Sequence, residues 1–410
     1  MSELKITPDG WVETTLGEIA KVQTGPFGSQ LKNEQYITGG TPIITVEHIV
    51  DFRIKEFNYP SVTDEDKNRL SKYLLKTGDI VFTRVGSVDL SAYVTENQDG
   101  WMFSSRMLSV RPYKEVNSKF LSYYFRQPSY RNYILKIAVG ATMPSINTGI
   151  LKELPVLLPP LEEQKSIADI LTAFDDKIEL LQSQNKTLEA IAQTIFEDWF
   201  GKYSIDDKLP DGWIVDKLES IAIEITRGFT TSYVESSNLV NLNQKVNKGS
   251  YLDKKHFKYY NNNTEVPVNK FIKKYDLLLN SLGEGTLGRV HLYCEDTKNV
   301  VADQHVSILR FDKILAFYVY HVLISTDGQF RLLNEITGST GMTMLNISKV
   351  REFEIIIPKN DILEKFEQAT VSLYEKLEIN NSQIQTLTRT HDELLSRLMT
   401  GEIRVNEFKA

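Results

Sequence analysis

LEEQKSIADILTAFDDKIELLQSQNKTLEAIAQTIFEDWF, at residues 161–200, carries the pattern that decides the architecture of this chain. Its seam residues return at alternating steps of four and three, which is the heptad spacing of a coiled-coil helix. The seam consists of Ile167, Leu171, Phe174, Ile178, Leu181, Asn185, Leu188, Ala192, Ile195 and Trp199. Residues 366–398 repeat the spacing, again with one asparagine, Asn380, near the middle. Both segments are therefore predicted to be long helices with matching seams.

The two asparagines predict how the helices pair. By the phase of the steps, Asn185 occupies an a position and Asn380 a d position, and these layers face each other in an antiparallel pair. With both asparagines in one layer, the facing pairs include Trp199 with Phe366 and Phe174 with His391. A buried asparagine pair costs stability but fixes register and orientation. A parallel pair would put the asparagines out of layer. In a second alternative, each helix packs on its own domain.

The rest of the chain is written twice. PDGW occurs at 8–11 and at 210–213, and three longer blocks follow each copy in the same order. The matching blocks are GDIVFTRVGS (78–87) with YDLLLNSLGE (275–284), MLSVRP (107–112) with VSILRF (306–311), and GATMPSINTGILKELPVLLPP (140–160) with GSTGMTMLNISKVREFEIIIPK (338–359). Four blocks in one order are not chance turns. The sequence therefore predicts a pseudo-two-fold tandem repeat.

Each copy reads as an α+β domain followed by one long helix. Short apolar runs with strand character, such as TPIITV (41–46) and GRVHLYC (288–294), alternate with a helical stretch at 120–134 or 314–325. The predicted fold is two similar α+β domains separated by an antiparallel two-helix coiled coil. Its predicted segments are a first domain at 1–158, a helix at 159–200, a second domain at 201–357, a helix at 358–400 and a tail at 401–410.

Composition describes a globular protein of the cytoplasm, with 41% hydrophobic and 25% charged residues. No apolar run approaches the roughly 20 residues of a membrane span, and the N-terminus lacks the apolar core of a signal peptide. The single cysteine, Cys294, excludes an internal disulfide framework. The net charge is −7, and residues 159–200 carry 3 Lys and Arg against 9 Asp and Glu. We expect these acidic helices to face protein partners or solvent.

No motif in the chain supports catalysis or metal binding. Gly283, Gly285 and Gly288 fit the spacing GxGxxG, but a strand pattern follows where a dinucleotide site needs a helix, which predicts a hairpin loop instead. The sequence contains no GxxxxGK[ST] loop, no HExxH and no cysteine pair. It also lacks the Asn/Asp-Pro-Pro-aromatic stretch that adenine methyltransferases carry. We therefore expect no catalytic residue and no metal site.

The whole chain resembles the specificity (S) subunits of type I restriction–modification systems. The segments that carry the resemblance are GPFGSQL (25–31), GATMPSI (140–146), ELPVLLPPLEEQKSIADIL (153–171), ELLSRLMTGEIRV (393–405) and the matching second-half blocks. The proline-plus-EEQ helix start is the most specific of them. The second half departs from it with PKNDILEKFE (358–367), so its helix start is less typical.

The resemblance implies a non-catalytic subunit with two target-recognition domains, each reading half of a bipartite double-stranded DNA site. The paired helices would fix the spacer and bind two adenine-methylating M subunits, and restriction (R) subunits would join them. AdoMet, Mg and ATP would be used by those other subunits, with no cofactor bound by this chain. Two rival functions are a coiled-coil protein scaffold that does not read DNA and a methyltransferase or nuclease of unrecognised chemistry.

Candidate DNA contacts lie in three kinds of segment. The loops GPFGSQLK (25–32) and RGFTTSY (227–233) combine glycine with polar side chains that suit a groove, and residues flanking matched strands suit bidentate contacts to bases. A lysine-rich, tyrosine-rich stretch at 243–274 suits phosphate contacts. The predicted DNA-binding residues are Gln30, Lys32, Arg84, Ser105, Arg106, Arg227, Lys248, Tyr251, Lys254, Lys255, Arg289, Gln304 and His305.

Overall fold

The computed structural model describes residues 8–283, 285–337 and 343–405. It divides into unit 1, with Met1–Ile178 and Thr386–Ala410, and unit 2, with Glu179–Gln385, so each unit holds part of both long helices. The block at 338–342, Glu284 of the glycine motif and the tail at 406–410 lie outside the described residues. The predicted domain limits stay a prediction.

Unit 1 begins with strands and ends with the first long helix. Its strands are β1 Val12–Thr15, β2 Ala20–Thr24, β3 Thr41–Ile44, β4 Ile49–Val50, β5 Arg53–Ile54, β6 Ser61–Val62, β7 Ile80–Thr83, β8 Ser91–Tyr93, β9 Met102–Phe103, β10 Met107–Pro112 and β11 Pro155–Leu158. Its helices are α1 Leu16–Ile19, α2 Asp64–Arg69, α3 Ser118–Arg126, α4 Pro128–Ile137, α5 Thr148–Lys152 and the start of α6 Leu161–Phe200.

The central sheet of unit 1 has the antiparallel order β2-β10-β7-β8. One of its faces packs on α3, α4 and the long helices, through buried residues such as Phe82, Phe125 and Leu171. The other face packs on the small sheet β6-β3-β9, through residues such as Val81 and Ile43. The unit therefore has two apolar cores, one on each face of the sheet.

Unit 2 repeats this element order. Its strands are β12 Ile214–Lys217, β13 Glu224–Arg227, β14 Tyr233–Val234, β15 Leu239–Leu242, β16 Lys258–Tyr260, β17 Leu277–Asn280, β18 Val290–Leu292, β19 Val300–Ala302, β20 Val306–Arg310, β21 Ile336–Thr337, β22 Met344–Leu345 and β23 Glu354–Ile357. Its helices are α7 Leu218–Ile221, α8 Lys313–Ile324, α9 Thr326–Asn334, α10 Ile347–Arg351 and most of α11 Asn360–Met399.

The central sheet of unit 2, β13-β20-β17-β18, has the same strand order and the same antiparallel pairing as β2-β10-β7-β8. The small sheet of unit 2 has the order β14-β16-β15-β19, and each small sheet contains one parallel pair, β3 with β9 and β15 with β19. The predicted α+β tandem repeat is confirmed. The hairpin predicted for the glycine motif is confirmed as well, because β17 and β18 pair antiparallel on either side of it.

The helical stretch predicted at 120–134 is two helices. Asn117 caps α3, because its side chain accepts a hydrogen bond from the amide of Phe120 at 2.9 Å. The helix ends at Arg126, and the next residue, Gln127, has non-helical backbone and precedes Pro128 at the start of α4. Proline disfavours helical backbone in the residue before it and suits a first helical turn. The Gln-Pro pair therefore breaks the stretch.

Within unit 2 the long helices pair in the predicted antiparallel register. Asn380 donates a hydrogen bond to Asn185 at 2.8 Å, and the rings of Trp199 and Phe366 are 6.0 Å apart. Asn185 in turn donates to Asn381 at 2.8 Å, a partner that the heptad pattern did not indicate. Within unit 1, the rings of Phe174 and His391 lie 6.5 Å apart, as the same register requires.

An arginine–aspartate bracket ties the central sheet together in each unit. Arg111 of β10 donates two hydrogen bonds to Asp79, at 2.7 and 2.6 Å, and Arg310 of β20 donates two to Asp276, at 2.8 and 2.7 Å. Both aspartates are 1% exposed. The bidentate pairing satisfies a carboxylate that would otherwise be costly to bury. It sits at the start of β7 and of β17, the strands that lead to the candidate site.

Candidate nucleic-acid interface

In each unit, a loop after the first strand of the central sheet crosses a turn that leads into β10 or β20. Gly25 and Gly228 stand at these crossings. A Cβ atom on Gly25 would lie 2.1 Å from the carbonyl oxygen of Ser104, and one on Gly228 would lie 2.2 Å from that of Asp303. Only glycine allows so close an approach. The crossing brings the predicted loops at 25–32 and 227–233 against the predicted turn residues.

The backbone hydrogen bonds of the two turns match. Arg84 donates its amide to the carbonyl of Arg106 at 2.8 Å, and Ser281 donates to His305 at 2.9 Å. Ser105 and Arg106 of unit 1 are therefore equivalent to Gln304 and His305 of unit 2. In unit 1 the amide of Ser104 donates to the carbonyl of Ile44, at the end of β3, at 2.9 Å. In unit 2 the amide of Asp303 donates to the carbonyl of Leu242, at the end of β15, at the same distance.

In unit 1 the guanidinium of Arg84 holds loop and turn together. Its Nη1 donates to the carbonyl of Ser105 at 3.2 Å, and its centre lies 5.5 Å from the ring of Phe27. Phe27 is 48% exposed, and Arg106, the residue after Ser105 in the turn, is exposed as well. Three separate segments thus meet here: the loop with Phe27, the end of β7 with Arg84 and the turn with Arg106.

Gln30 and Lys32 lie further along the same loop. The side chain of Gln30 accepts a hydrogen bond from the hydroxyl of Tyr73, and its carbonyl accepts one from Arg69 at 2.9 Å. Lys32 is exposed, and its amide donates to Gln35 at 2.9 Å. Gln30 therefore has a local partner that fixes the loop, whereas the ammonium of Lys32 extends from its far end.

In unit 2 the loop and the turn are held together by the carboxylate of Asp303, the residue that matches Ser104 of unit 1. The Oδ2 atom of Asp303 accepts hydrogen bonds from the hydroxyls of Thr230 and Tyr233, both at 3.1 Å. Its Oδ1 atom lies 3.0 Å from the backbone nitrogen of His305 and 3.0 Å from the Nδ1 atom of that ring. Gln304 is exposed and donates its amide to the Thr230 hydroxyl at 3.3 Å.

Two stacked tyrosines extend this cluster. The rings of Tyr233 and Tyr260 are 5.6 Å apart and nearly parallel, at 16°. The hydroxyl of buried Tyr260 donates to the carbonyl of Phe229 at 2.7 Å and accepts from Asn241 at 2.6 Å. Burial, then the charge of Asp303, raises the pKa of Tyr233 to about 12, so this phenol keeps its proton. The ring of Tyr233 is 43% exposed and presents an aromatic surface.

Arg227 and Arg289 flank the same sheet. Arg227 donates to the carbonyl of Leu345 at 3.1 Å, and Arg289 donates to the carbonyl of Gly285 at 3.0 Å. Both side chains are half-buried. Each guanidinium donates one hydrogen bond to a carbonyl and has further N–H donors.

The lysine-rich stretch lies against the long helices. The carbonyl of Leu252 accepts a hydrogen bond from Gln385 of α11 at 3.1 Å. Lys254 pairs with Glu295 at 2.9 Å, while Lys248 and Lys255 share Asp253 at 3.8 and 3.5 Å. Tyr251 is 46% exposed. Of these lysines, Lys255 is the most exposed, at 74%, so the stretch offers less free positive charge than its sequence indicates.

Several side chains of the site were not predicted: Phe27, Thr230, Tyr233, Asn241, Tyr260 and Asp303. The loops quoted from the sequence contain the first three, and the lysine-rich, tyrosine-rich stretch at 243–274 contains Tyr260. For Asp303 the available signal was its position directly before Gln304 and His305, in the matched turn. Its donors come from separate segments, so only the fold reveals that they meet.

No helix among the described residues combines the length and apolarity that crossing a bilayer requires. No group of three or more His, Cys, Asp or Glu side chains in the same part of the chain is arranged to hold a metal ion.

Comparison with known proteins finds similarity to one family. Residues 8–190 match the model of the type I restriction modification DNA specificity domain. The chain is 26% identical over 435 residues to the type I restriction enzyme MjaIX specificity subunit of Methanocaldococcus jannaschii, covering 98% of this chain and 95% of that one. It is 24% identical over 467 residues to the HindI specificity subunit of Haemophilus influenzae, covering 96% and 99%.

The fold also has a solved counterpart. The crystal structure of the type I restriction–modification S subunit from M. genitalium aligns with a TM-score of 0.61 and 17% identity, over 96% of this chain and 98% of that one. This likeness concerns the fold, and the two relatives above supply the likeness in sequence along the whole chain. Along its whole length the chain is similar to the specificity subunits of type I restriction–modification systems, and residues 8–190 match their DNA specificity domain.

Proposed function

We propose that this chain reads an asymmetric, two-part site on double-stranded DNA, with one half-site for each domain. The observation that carries the proposal is that one backbone frame presents different side chains in its two copies. Ser105 and Arg106 stand in unit 1 where Gln304 and His305 stand in unit 2. Arginine suits guanine and glutamine suits adenine in the major groove. Two readers that differ in this way require two different half-sites.

The long helices would set the spacer between the half-sites. Each is 40 residues long. Their shared seam, from 167 to 199, would span roughly 50 Å at about 1.5 Å per residue. That length corresponds to an upper limit of about 15 base pairs, at about 3.4 Å per pair. The acidic surface of the helices favours protein partners over DNA as their neighbours.

The partners in this proposal are two methyltransferase (M) subunits and, for cleavage, restriction (R) subunits. The M subunits would dock on the helix pair and methylate adenine within each half-site. AdoMet, Mg and ATP would be bound by these partners in the cytoplasm, with recognition left to this chain. The similarity to type I specificity subunits supports this division of labour.

Single-molecule methylome sequencing tests the reading function. Cells that carry this gene with its neighbouring methyltransferase gene are compared with cells that lack only this gene. We expect modified adenine at one asymmetric, gapped motif in the first cells and none there in the second. An identical methylome in both would contradict the proposal and favour a scaffold without DNA reading.

A second experiment tests the spacer function. Inserting four residues into each long helix at matched layers adds one turn, or about 6 Å, to the pair. The gap in the motif should then lengthen by one or two base pairs while both half-sites stay the same. A control insertion of four residues in the exposed loop at 205–208 should leave the gap unchanged. An unaltered gap in the helix variant would show that the helices do not set the spacer.

A further inference from the structure

Asp303 carries its carboxylate at a buried position, where a charge is energetically unfavourable. It is 1% exposed, and a buried carboxylate is costly unless hydrogen bonds and opposite charge compensate for its lost hydration. The same turn of unit 1 follows the same backbone path with Ser104. The Ser104 hydroxyl is buried and has no hydrogen-bond partner within the described part of the chain. The frame therefore does not require a carboxylate, so Asp303 serves something particular to the second domain.

The contacts of Asp303 indicate what it serves. One oxygen holds the loop residues Thr230 and Tyr233, and the other faces both the backbone nitrogen and the ring of His305. The carboxylate accepts the backbone N–H of His305 and lies 3.0 Å from Nδ1, so it favours a proton on that ring nitrogen over one on Nε2. Nε2, on the other side of the ring, is left for an outside partner. The His305 side chain is 38% exposed, so it is accessible to one.

We propose that Asp303 is a positioning residue for DNA recognition, which orients His305 so that its Nε2 atom hydrogen-bonds to a base edge in the second half-site. The inference rests on the proposed function and adds the residue pair that sets one position of the motif. Base edges in the major groove differ in their pattern of donors and acceptors. A ring nitrogen held in one orientation discriminates between those patterns, whereas a freely rotating ring reads them poorly.

The rest of the cluster gives the pair a rigid support. Tyr233 lies on buried Tyr260, whose hydroxyl is bonded to the loop backbone at Phe229. The Asn241 amide reaches both the Tyr260 hydroxyl, at 2.6 Å, and Asp303, at 3.4 Å. A recognition group needs such support from residues behind it to keep its geometry. Asp303 therefore links His305 to the buried core rather than to another mobile side chain.

The test uses the full complex of this chain with its methyltransferase subunits. Asp303→Asn removes the charge and keeps the shape, His305→Ala removes the reading group, and Asp327→Asn makes the same chemical change at an exposed ion pair of the same unit. Each variant methylates the wild-type motif and a set of sites with single base-pair changes. Thermal unfolding of each chain is measured beside it.

We expect Asp303→Asn and His305→Ala to lose discrimination at the same base pair of one half-site, by on the order of tenfold. The other half-site should keep its full discrimination, and Asp327→Asn should resemble the wild type throughout. Ser104→Ala, at the matched position of unit 1, should leave both half-sites unchanged. If Asp303→Asn does not fold, His305→Ala alone still shows whether that ring reads a base.

Three outcomes would overturn the inference. Asp303→Asn could weaken methylation of every site equally with its base preferences intact, which would mean a structural role. The two variants could relax different positions, which would mean that Asp303 does not act through His305. His305→Ala could leave all preferences unchanged. In these cases the gapped motif of the wild type would still stand, whereas the absence of any such motif would defeat the proposed function itself.

Discussion

The two domains share a backbone frame but differ in the group that locks its loop to its turn. In unit 1 that group is the guanidinium of Arg84, bonded to the Ser105 carbonyl and lying on Phe27. In unit 2 it is the carboxylate of Asp303, which accepts hydrogen bonds from the Thr230 hydroxyl and the His305 backbone amide. A cation in one unit and an anion in the other thus join loop to turn on the same backbone. Because the backbone does not depend on which group is used, the side chains at this crossing can differ between the two domains.

The domains also differ in how they rest on the long helices. In unit 1, Asp175 of α6 accepts hydrogen bonds from Arg126 and Tyr123, both at 2.9 Å. In unit 2, Glu378 of α11 lies near Glu295 and Lys254, and burial, then the charge of Glu295, raises its pKa to about 7. The contact in unit 1 is an ion pair between Arg126 and Asp175, whereas the contact in unit 2 contains Glu378, whose ionisation is disfavoured by burial.

The largest difference in stability should follow loss of the two bracket arginines. Arg310→Met should cost about 5 kcal/mol and Arg111→Met about 3 kcal/mol, within the range for breaking a buried pair. Arg310 is 9% exposed and also pairs with Glu224 at 3.2 Å, so its loss strands two carboxylates. Arg111 is 36% exposed, and among the described residues its ion-pair partner is Asp79.

Chemical denaturation of the full chain measures this difference. Arg397→Met, at an exposed pair with Glu402, is the control and should change stability by less than about 0.5 kcal/mol. Equal costs for Arg310→Met and Arg111→Met would mean that Glu224 contributes nothing to the bracket. The two sheets would then be held in the same way.

Alanine at the loop crossings should separate the two readers. Gly25→Ala and Gly228→Ala each place a Cβ against backbone oxygen, which should cost about 3 kcal/mol because the backbone must shift. We expect each variant to lose discrimination at its own half-site and to keep it at the other, in methylation assays of the complex. Gly28→Ala, in the same loop with open space around its Cβ, is the matched control. Loss of both half-sites from one substitution would contradict independent readers.

The pH dependence of stability should distinguish the helix contacts of the two units. The pKa of Glu378 is higher in the folded chain than in the unfolded one, so its contribution becomes less favourable as pH rises from about 4.5 to about 7. Glu378→Gln should therefore raise stability at pH 8, by about 1–3 kcal/mol, and change it little at pH 5. Glu375→Gln, at an exposed site on the same helix, should have no such pH-dependent effect. A gain of equal size at both pH values would show that burial does not disfavour the charge of Glu378.

Sequence reasoning succeeded where a period repeats and failed where a site gathers from separate segments. The seam fixed the register because Asn185 and Asn380 each interrupt an apolar pattern at one defined layer. The tandem blocks gave the repeated fold because matching strands pair in matching order. The free positive charge of the lysine-rich stretch could not be predicted from a repeat, since Glu295, which pairs with Lys254, lies 41 residues away. The Asp303 cluster was out of reach for the same reason.

The asparagine layer of unit 2 gives the smallest expected effect. The seam of unit 1 places His391 against Phe174, with Asp175 3.8 Å from the histidine ring. In unit 2, Asn380 donates to Asn185, but its own Oδ1 atom is buried with no partner among the described residues. An unmet buried acceptor costs about 1–3 kcal/mol.

Replacing Asn185 and Asn380 together by leucine should therefore raise the free energy of unfolding by about 1–2 kcal/mol, since it removes both the unmet oxygen and the desolvated amides. Asn381, which is only half-buried, can exchange its lost bond for water. Leucine no longer penalises other pairings, so the variant should also form alternative registers or dimers, visible by light scattering. Lower stability of the double variant would mean that the three asparagines form a net favourable layer. Single replacements, which leave one asparagine facing leucine, should be less stable than either the wild type or the double variant.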